Sequence, residues 1–283
     1  MFSLKIENAK GEIFELTHDT QNYAIIGIEG LTPPPTVVNT STGGTLDGTF
    51  HNSSRLEQRN IVITIHLRGD IEGNRQHLYK VFNLKKPCKV YFRNENRNVK
   101  IKAYVETLEG DLFENGETIQ ISLICPRPYF EDAATIYTEL SKIIKMFEFP
   151  FSLEQPEEMA SITDYPQCVV DNTGDVECGF VAYIQLDAAV TDLNIFNTTK
   201  QEKMSFGYEF AANDEIIIST VSGDMFAKLI RNGAEINLLN YIKSGSTWLK
   251  LDIGENIFTF SVTSGSVDDV WISFETANLY GGV

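Results

Sequence analysis

In the stretch RNIVITIHL, Ile61, Ile63, Ile65 and Leu67 fall on one side of an extended chain, and Asn60, Val62, Thr64 and His66 on the other. That period of two predicts a half-buried strand. CKVYF and VKIKAYVE repeat the pattern, with Val90 and Phe92, then Val99, Ile101, Ala103 and Val105, on the apolar side. The polar turn Asn94-Glu95-Asn96-Arg97 joins them as a hairpin. GETIQISLIC, led in by Asn115-Gly116, predicts a further strand. Between Asp70 and Lys86 the period changes: Leu78, Val81 and Phe82 share a helical face, and Asn74 offers an N-cap. The first half therefore reads as a β-sheet with one helix packed on it.

ISLICPRPYFED ends this pattern. Pro126 and Pro128 lack the N–H that a ladder needs and push the residue before each toward extended geometry, so they close the last strand of a first domain. IYTELSKIIKMF follows, with Ile136, Leu140, Ile143, Ile144 and Phe147 at helical spacing that also fits a period of two. It is expected as a helix or connecting segment, and FPFSLEQPEEMASITDYP as linker. From about Pro166 onward short alternating runs predominate, among them VECGFVAYIQL, LNIFNTT, DEIIIST and DDVWISF. Gly223-Asp224, Asn232-Gly233 and Gly254-Glu255-Asn256 punctuate them as turns, which predicts an antiparallel sandwich or jelly roll. The organisation expected is a first domain over 1–130, a connection over 131–165 and a second domain over 166–283. Thr32 to Phe50, TPPPTVVNTSTGGTLDGTF, stands apart. Three prolines and Gly43, Gly44 and Gly48 deny it a compact strand core, so a long loop or an extended arm is expected.

Charge sharpens the division. The formal net charge is −16; residues 1–150 carry 17 Lys+Arg against 19 Asp+Glu, and residues 151–283 carry 6 against 20. An acidic second half repels nucleic-acid phosphates. The opening MFSLKIENAKGE lacks the apolar block of a signal peptide, and no run of about 18 apolar residues predicts a membrane span. Cys88, Cys125, Cys168 and Cys178 form no C-x-x-C pair and read as buried thiols, a Cys168–Cys178 disulfide being the weaker alternative. The four histidines, His18, His51, His66 and His77, lie far from the later cysteines, which argues against zinc.

Catalytic constellations are missing. No serine sits at a nucleophile elbow beside a histidine. The pairs Asp214-Glu215 and Asp268-Asp269 are consecutive residues at strand starts, so each points to opposite faces, as solvated strand ends do. GGTLDG is followed by no helix and no lysine, so it is no phosphate loop. The basic stretch Arg75–Lys102 reads as a solvated face or a dock for an acidic partner rather than a nucleic-acid surface. Trp248, Trp271, Tyr241 and Tyr280 read first as core or interface aromatics, with a sugar-stacking platform as the alternative.

Taken in order, GGTLDGTFHNSSRLEQRNIVITIHL, NRQHLYKVFNLKKPCKVYFRNENRNVKIKAYVE, ISLICPRPYFED, FEFPFSL, DNTGDVECG, NDEIIISTVSGD, LIRNGAEIN and WLKLDIGENIFTF resemble the distal tail protein family of siphophage-type bacteriophages across essentially the whole chain. The resemblance implies a mainly β fold: an N-terminal domain similar to tail-tube subunits, a β-sandwich or split barrel with one helix, and a C-terminal antiparallel, galectin-like jelly roll. It implies a structural protein and no enzyme, without cofactor, metal or membrane insertion. Six copies would close a homo-hexameric ring at the virion tail tip after assembly in the host cytoplasm. Tail-tube protein would join above and a tail-associated or receptor-binding protein below or at the side, with DNA passing through without sequence-specific contact. Phage, prophage and tail-like bacteriocin origins share this pattern. On this reading the ring and stacking contacts are expected from Pro34, Thr40, Gly43, Gly44, Leu46 and Asp47 of the arm, from Asn94 and Arg97, and from Asp111 and Asn115. The competing reading is a carbohydrate-binding protein for a host surface, with Trp248, Trp271, Tyr241 and Tyr280 as the stacking residues.

Overall fold

A computed structural model of the chain describes residues 2–16, 21–44, 47–110, 118–140 and 167–283. They form two units, Met1–Ala134 together with Leu279–Val283, and Thr135–Asn278. The first unit contains β1 (Ser3–Glu7), β2 (Ile13–Leu16), β3 (Tyr23–Glu29), β4 (Thr36–Ser41), β5 (Phe50–Leu56), β6 (Arg59–Leu67), α1 (Ile71–Val81), β7 (Pro87–Arg93), β8 (Asn98–Gly110), β9 (Thr118–Cys125) and β10 (Phe130–Asp132). Seven strands make an antiparallel sheet in the order β2-β1-β7-β8-β9-β6-β3.

One face of this sheet is the core. The alternating residues that predicted β6, Ile61, Ile63, Ile65 and Leu67, are all buried, as are Val90, Phe92, Val99, Ile101 and Ala103 on β7 and β8. A slip of one residue would turn each set to solvent, and each large apolar side chain turned out forfeits about 1.5–3 kcal/mol, so the register is strongly specified. The sheet also curls. Phe14 of β2 and Tyr23 of β3, at opposite ends of the strand order, meet edge-to-face with centroids 5.3 Å apart. His77 of α1 lies against Phe14 at 5.3 Å and 3.0 Å from the Tyr23 hydroxyl, while Leu78 and Val81 turn into the core. The result is a split barrel with its helix at the seam. Asp70, and not Asn74, caps α1, accepting from the Gly73 N–H at 3.0 Å. Asn74 sits inside the helix and donates to the Arg68 carbonyl at 2.7 Å, so the cap lies four residues earlier than its side chain suggests.

The second unit contains β11 (Ile136–Leu140), β12 (Gln167–Asn172), β13 (Phe180–Leu186), β14 (Val190–Asn197), β15 (Glu202–Phe210), β16 (Glu215–Ser219), β17 (Phe226–Arg231), β18 (Ala234–Asn237), β19 (Gly254–Ser264) and β20 (Val270–Thr276). They form a six-stranded sheet, β11-β20-β13-β16-β17-β18, and a four-stranded sheet, β12-β19-β14-β15. Phe180 and Phe274 from the first pack on Phe258 from the second at centroid distances of 5.4 and 4.9 Å, which joins the two layers into a sandwich.

Two expectations change here. Ile136–Leu140 is a strand hydrogen-bonded to β20, so the period-two reading prevails over the helical one; Ile143, Ile144, Phe147 and the linker beyond lie outside the described residues. Gly254 and Asn256 open β19 and also complete the turn that leads into it: Gly254 has φ +89°, and fully buried Asn256 accepts from the Asp252 N–H at 2.9 Å and donates to the Asp252 carbonyl at 2.8 Å. The final strand, β21 (Leu279–Tyr280), belongs to the first unit, where it pairs with β10. The boundary drawn from sequence assigned these residues to the second domain; the alternation of the seven-residue β20 gives no sign that the chain returns to the first unit after Asn278.

Candidate assembly site

Within Thr32–Phe50 the chain forms a strand, Thr36–Ser41, and Phe50 begins the next. β4 and β5 pair only with each other, as an antiparallel hairpin with a register shift between Asn39 and Thr40. No side chain of either strand is buried; Val38 and Phe50 are 54% and 55% exposed. Its cross-strand side-chain contacts are polar: Asn39 Nδ2 donates to Ser53 Oγ at 3.0 Å and Ser41 Oγ to Asn52 Oδ1 at 3.2 Å; within β5, His51 lies 2.7 Å from Ser54 Oγ. Near the tip Gly43 faces the Phe50 ring so closely that a Cβ there would lie 2.8 Å from it. An isolated two-stranded ribbon is marginal in water, and both of its edges offer free backbone groups.

What is fixed is the root of this arm, and Arg59 fixes it. Arg59 shares the inward face of β6 with the isoleucines and is 1% exposed. Its Nε donates to the Pro128 carbonyl at 2.8 Å, Nη1 to the carbonyls of Gly30 at 2.5 Å and Thr32 at 2.6 Å, and Nη2 to Gly281 at 2.5 Å. The guanidinium also lies 4.5 Å from the centre of the Phe130 ring. All four acceptors are main-chain carbonyls and none is a carboxylate. Burial lowers the Arg59 pKa, yet a guanidinium begins so high that it stays charged. One cation thus ties the arm root at Gly30–Thr32, the Pro-x-Pro exit at Pro128 and the returning segment at Gly281. The return is gripped a second time: Arg97 donates to the Gly282 carbonyl and lies 4.5 Å over the Tyr280 ring, and the Val283 N–H donates to Leu31 at 3.1 Å. Beside this junction Cys125 is buried, and its thiol is pushed up to about 12 chiefly by that burial.

Two family models match the chain in order: a phage tail protein RIFT-related domain over residues 10–125, and the C-terminal domain of a siphovirus-type tail component over residues 173–277. The chain belongs to the distal tail protein family of siphophages. The fold agrees. The crystal structure of the Dit protein of phage SPP1, described as a paradigm of hub adsorption apparatus in phages infecting Gram-positive hosts, superposes with a TM-score of 0.67 at 13% identity, covering 98% of this chain and 99% of that one. A chain of the phage P2 baseplate in its activated conformation with Ca gives 0.54 at 13% identity, covering 97% and 98%. No curated protein sequence matches.

In this distal tail fold the residues expected at contacts fall into separate groups. Thr40, Gly44 and Asp47 are exposed on the hairpin, Gly43 is half-buried against Phe50, and Pro34 is buried at the root. Leu46, Asp111 and Asn115 lie outside the described residues. Asn94 is engaged in its own turn, its Oδ1 accepting from the N–H groups of Asn96 and Arg97 at 2.9 and 2.7 Å, and Arg97 is committed to the returning segment. Three of the four aromatics have partners of their own. Tyr280 belongs to the first unit, Trp271 donates to Asp187 at 2.8 Å, and Tyr241 packs edge-to-face on Tyr208 at 4.7 Å. The basic stretch is partly neutralised within the unit: Glu7 takes Lys89 at 3.1 Å and the Tyr91 hydroxyl at 2.6 Å, and Arg75 pairs with Glu72. The hydrogen bond from Tyr91 holds the Glu7 carboxyl below its usual range.

Asp214 differs from the solvated strand end that its sequence position suggests. It is 1% exposed, not solvated, and takes Arg231 in a fork at 2.8 and 2.6 Å and the Ala211 N–H at 2.8 Å. Burial pushes its carboxyl upward, but these donors outweigh it and leave the pKa lowered. The four cysteines are buried thiols, and none is in a disulfide. No described helix is long and apolar enough to cross a membrane, and no described cluster of His, Cys, Asp or Glu has metal-binding spacing. The alternating pattern that identifies β6 assigns its inward positions to apolar side chains, so the pattern alone does not single out Arg59. The signal was present: Arg59 is in phase with Ile61, two residues from it.

Proposed function

We propose that six copies of this chain close a ring that serves as the hub of the tail tip, with the β4–β5 hairpin of each copy reaching to the next. The exposed hairpin carries this reading. A ribbon that buries nothing of its own, with Val38 and Phe50 to solvent, gains stability by adding its edge strand and its apolar side chains to a neighbour. A ring uses a heterologous contact, in which an arm on one copy meets a different surface on the next. Such permanent contacts bury upward of roughly 2,000 Å². The near balance of charge over residues 1–150 favours the ring role for the first unit, because strong like charge on six copies opposes closure. The acidic second half suits an outward, solvated position.

In this role the work is geometric. The ring joins tail-tube protein on one side to the tail-associated or receptor-binding apparatus on the other and leaves a path for DNA, which it touches without reading sequence. It resides at the virion tail tip and assembles in the host cytoplasm. The hub description of the SPP1 Dit protein is consistent with it. Deleting Gly43–Gly48 removes the arm's tip and leaves its root on Arg59. Light scattering of the purified deletion chain should report monomers where the parent chain reports a ring, and a ring of unchanged mass would reject the arm's role.

A further inference from the structure

The outward face of the four-stranded sheet in the second unit carries a groove of about 810 Å³ that the ring reading does not use. Strand register places Lys203 of β15, Phe196 of β14 and Thr259 of β19 side by side across its floor. Ser261 continues the floor one row on, opposite Asn194. Gln201, in the β14–β15 turn, lines one end. The segment Gly245–Thr247 forms a wall, held alongside β15 by the Thr247 N–H donating to the Lys203 carbonyl at 2.8 Å. The volume lies within the roughly 300–1,000 Å³ of small-ligand sites.

The chemistry of this lining is selective. Phe196 is a half-exposed ring on the solvent face of a strand whose inward residues, Ile195 and Asn197, are buried. Around it stand hydroxyls and an amide, from Thr247, Thr259, Ser261 and Gln201, and the charges of Lys203 and Glu202 cancel. An aromatic face beside neutral hydrogen-bonding groups matches a sugar ring, which presents C–H bonds on its face and hydroxyls around its rim. The strongly negative charge of this half disfavours anionic polymers, and a groove with no net charge offers a cationic segment no preference over the acidic surface around it.

We propose that this groove binds a neutral oligosaccharide, stacked on Phe196 and hydrogen-bonded by Gln201, Thr247, Thr259 and Ser261. The site differs from the aromatics that the sequence suggests: none of Trp248, Trp271, Tyr241 and Tyr280 lines it. It is independent of ring formation, since every residue of the groove belongs to one unit of one chain.

Saturation-transfer NMR on the full chain tests it, with trisaccharides of glucose, galactose and N-acetylglucosamine as probes and poly(glycerol phosphate) as the anionic comparison. At least one neutral probe should receive transfer, with affinity roughly tenfold lower in Phe196→Ala and also reduced in Thr259→Val, both variants melting as the parent does. Trp248→Ala and Trp271→Ala should bind as the parent. Transfer to no neutral probe, transfer to poly(glycerol phosphate) alone, or binding that survives Phe196→Ala and Thr259→Val would each overturn the proposal.

Discussion

Removing the Arg59 side chain is the sharpest perturbation of the first unit. In Arg59→Leu four carbonyls, at Gly30, Thr32, Pro128 and Gly281, lose a charged donor at 2.5–2.8 Å, and Phe130 loses the cation over its ring. A buried acceptor left without a partner costs about 1–3 kcal/mol. Four acceptors at the low end give about 4 kcal/mol, and water entering the space left by the guanidinium limits the total, so about 3–5 kcal/mol is expected. The unit has roughly 140 residues, each contributing about 2.1 cal/mol/K to the unfolding entropy, so the midpoint should fall by about 10–17 °C. Arg59→Lys keeps the charge but loses the fork and should lose about half as much. Differential scanning calorimetry gives the shift. Hydrogen exchange gives its location: amides of 28–34, 128–132 and 279–283 should exchange faster in both variants, while those of β13 and β20 remain as in the parent. A melting point within 3 °C of the parent for Arg59→Leu, or faster exchange confined to the second unit, would refute the account of Arg59 as the junction.

Asp214 makes stability depend on acid. Its folded pKa is lowered, so its contribution is fully present above the unfolded value of about 3.9 and is lost as the pH falls through the folded value. Asp214→Asn should cost roughly 2–3 kcal/mol at pH 7, less than a fully buried pair because Arg231 is 32% exposed, and should flatten the fall in melting temperature between pH 5 and pH 2; parallel curves would contradict this. Gly30 holds φ +82°, and a Cβ there would lie 1.9 Å from the Asn60 carbonyl oxygen. Gly30→Ala should therefore destabilise the first unit by about 2 kcal/mol or more in urea titration, whereas Gly44→Ala, with open space around it, should change stability by under about 0.5 kcal/mol.

Much of the fold is legible in the order of apolar residues. β6, the β7–β8 hairpin, β9 and most strands of the sandwich follow from a period of two, because each is buried on one face and wet on the other. Features that depend on distant partners are hidden. Thr36–Ser41 is a strand only because Phe50–Leu56 runs back beside it, and neither has the alternation that burial imposes. Asp214 reads as a solvated strand end until Arg231, seventeen residues on, closes over it. The junction is the clearest case. Its acceptors are backbone carbonyls, which carry no sequence signal, and they are drawn from segments up to 222 residues from Arg59. The arm was visible as an anomaly, a polar, proline- and glycine-rich stretch among strands, although not as a hairpin. The groove around Phe196 was not visible at all, since it exists only once β14, β15 and β19 lie in register.

The central claim is that copies of this chain associate side by side into an annulus. Negative-stain imaging of the purified full-length chain, with its mass measured in solution on the same sample, tests it most directly. The account predicts discs with a central hole and six times the mass of one chain. Compact solid particles of single-chain mass at high protein concentration would contradict it.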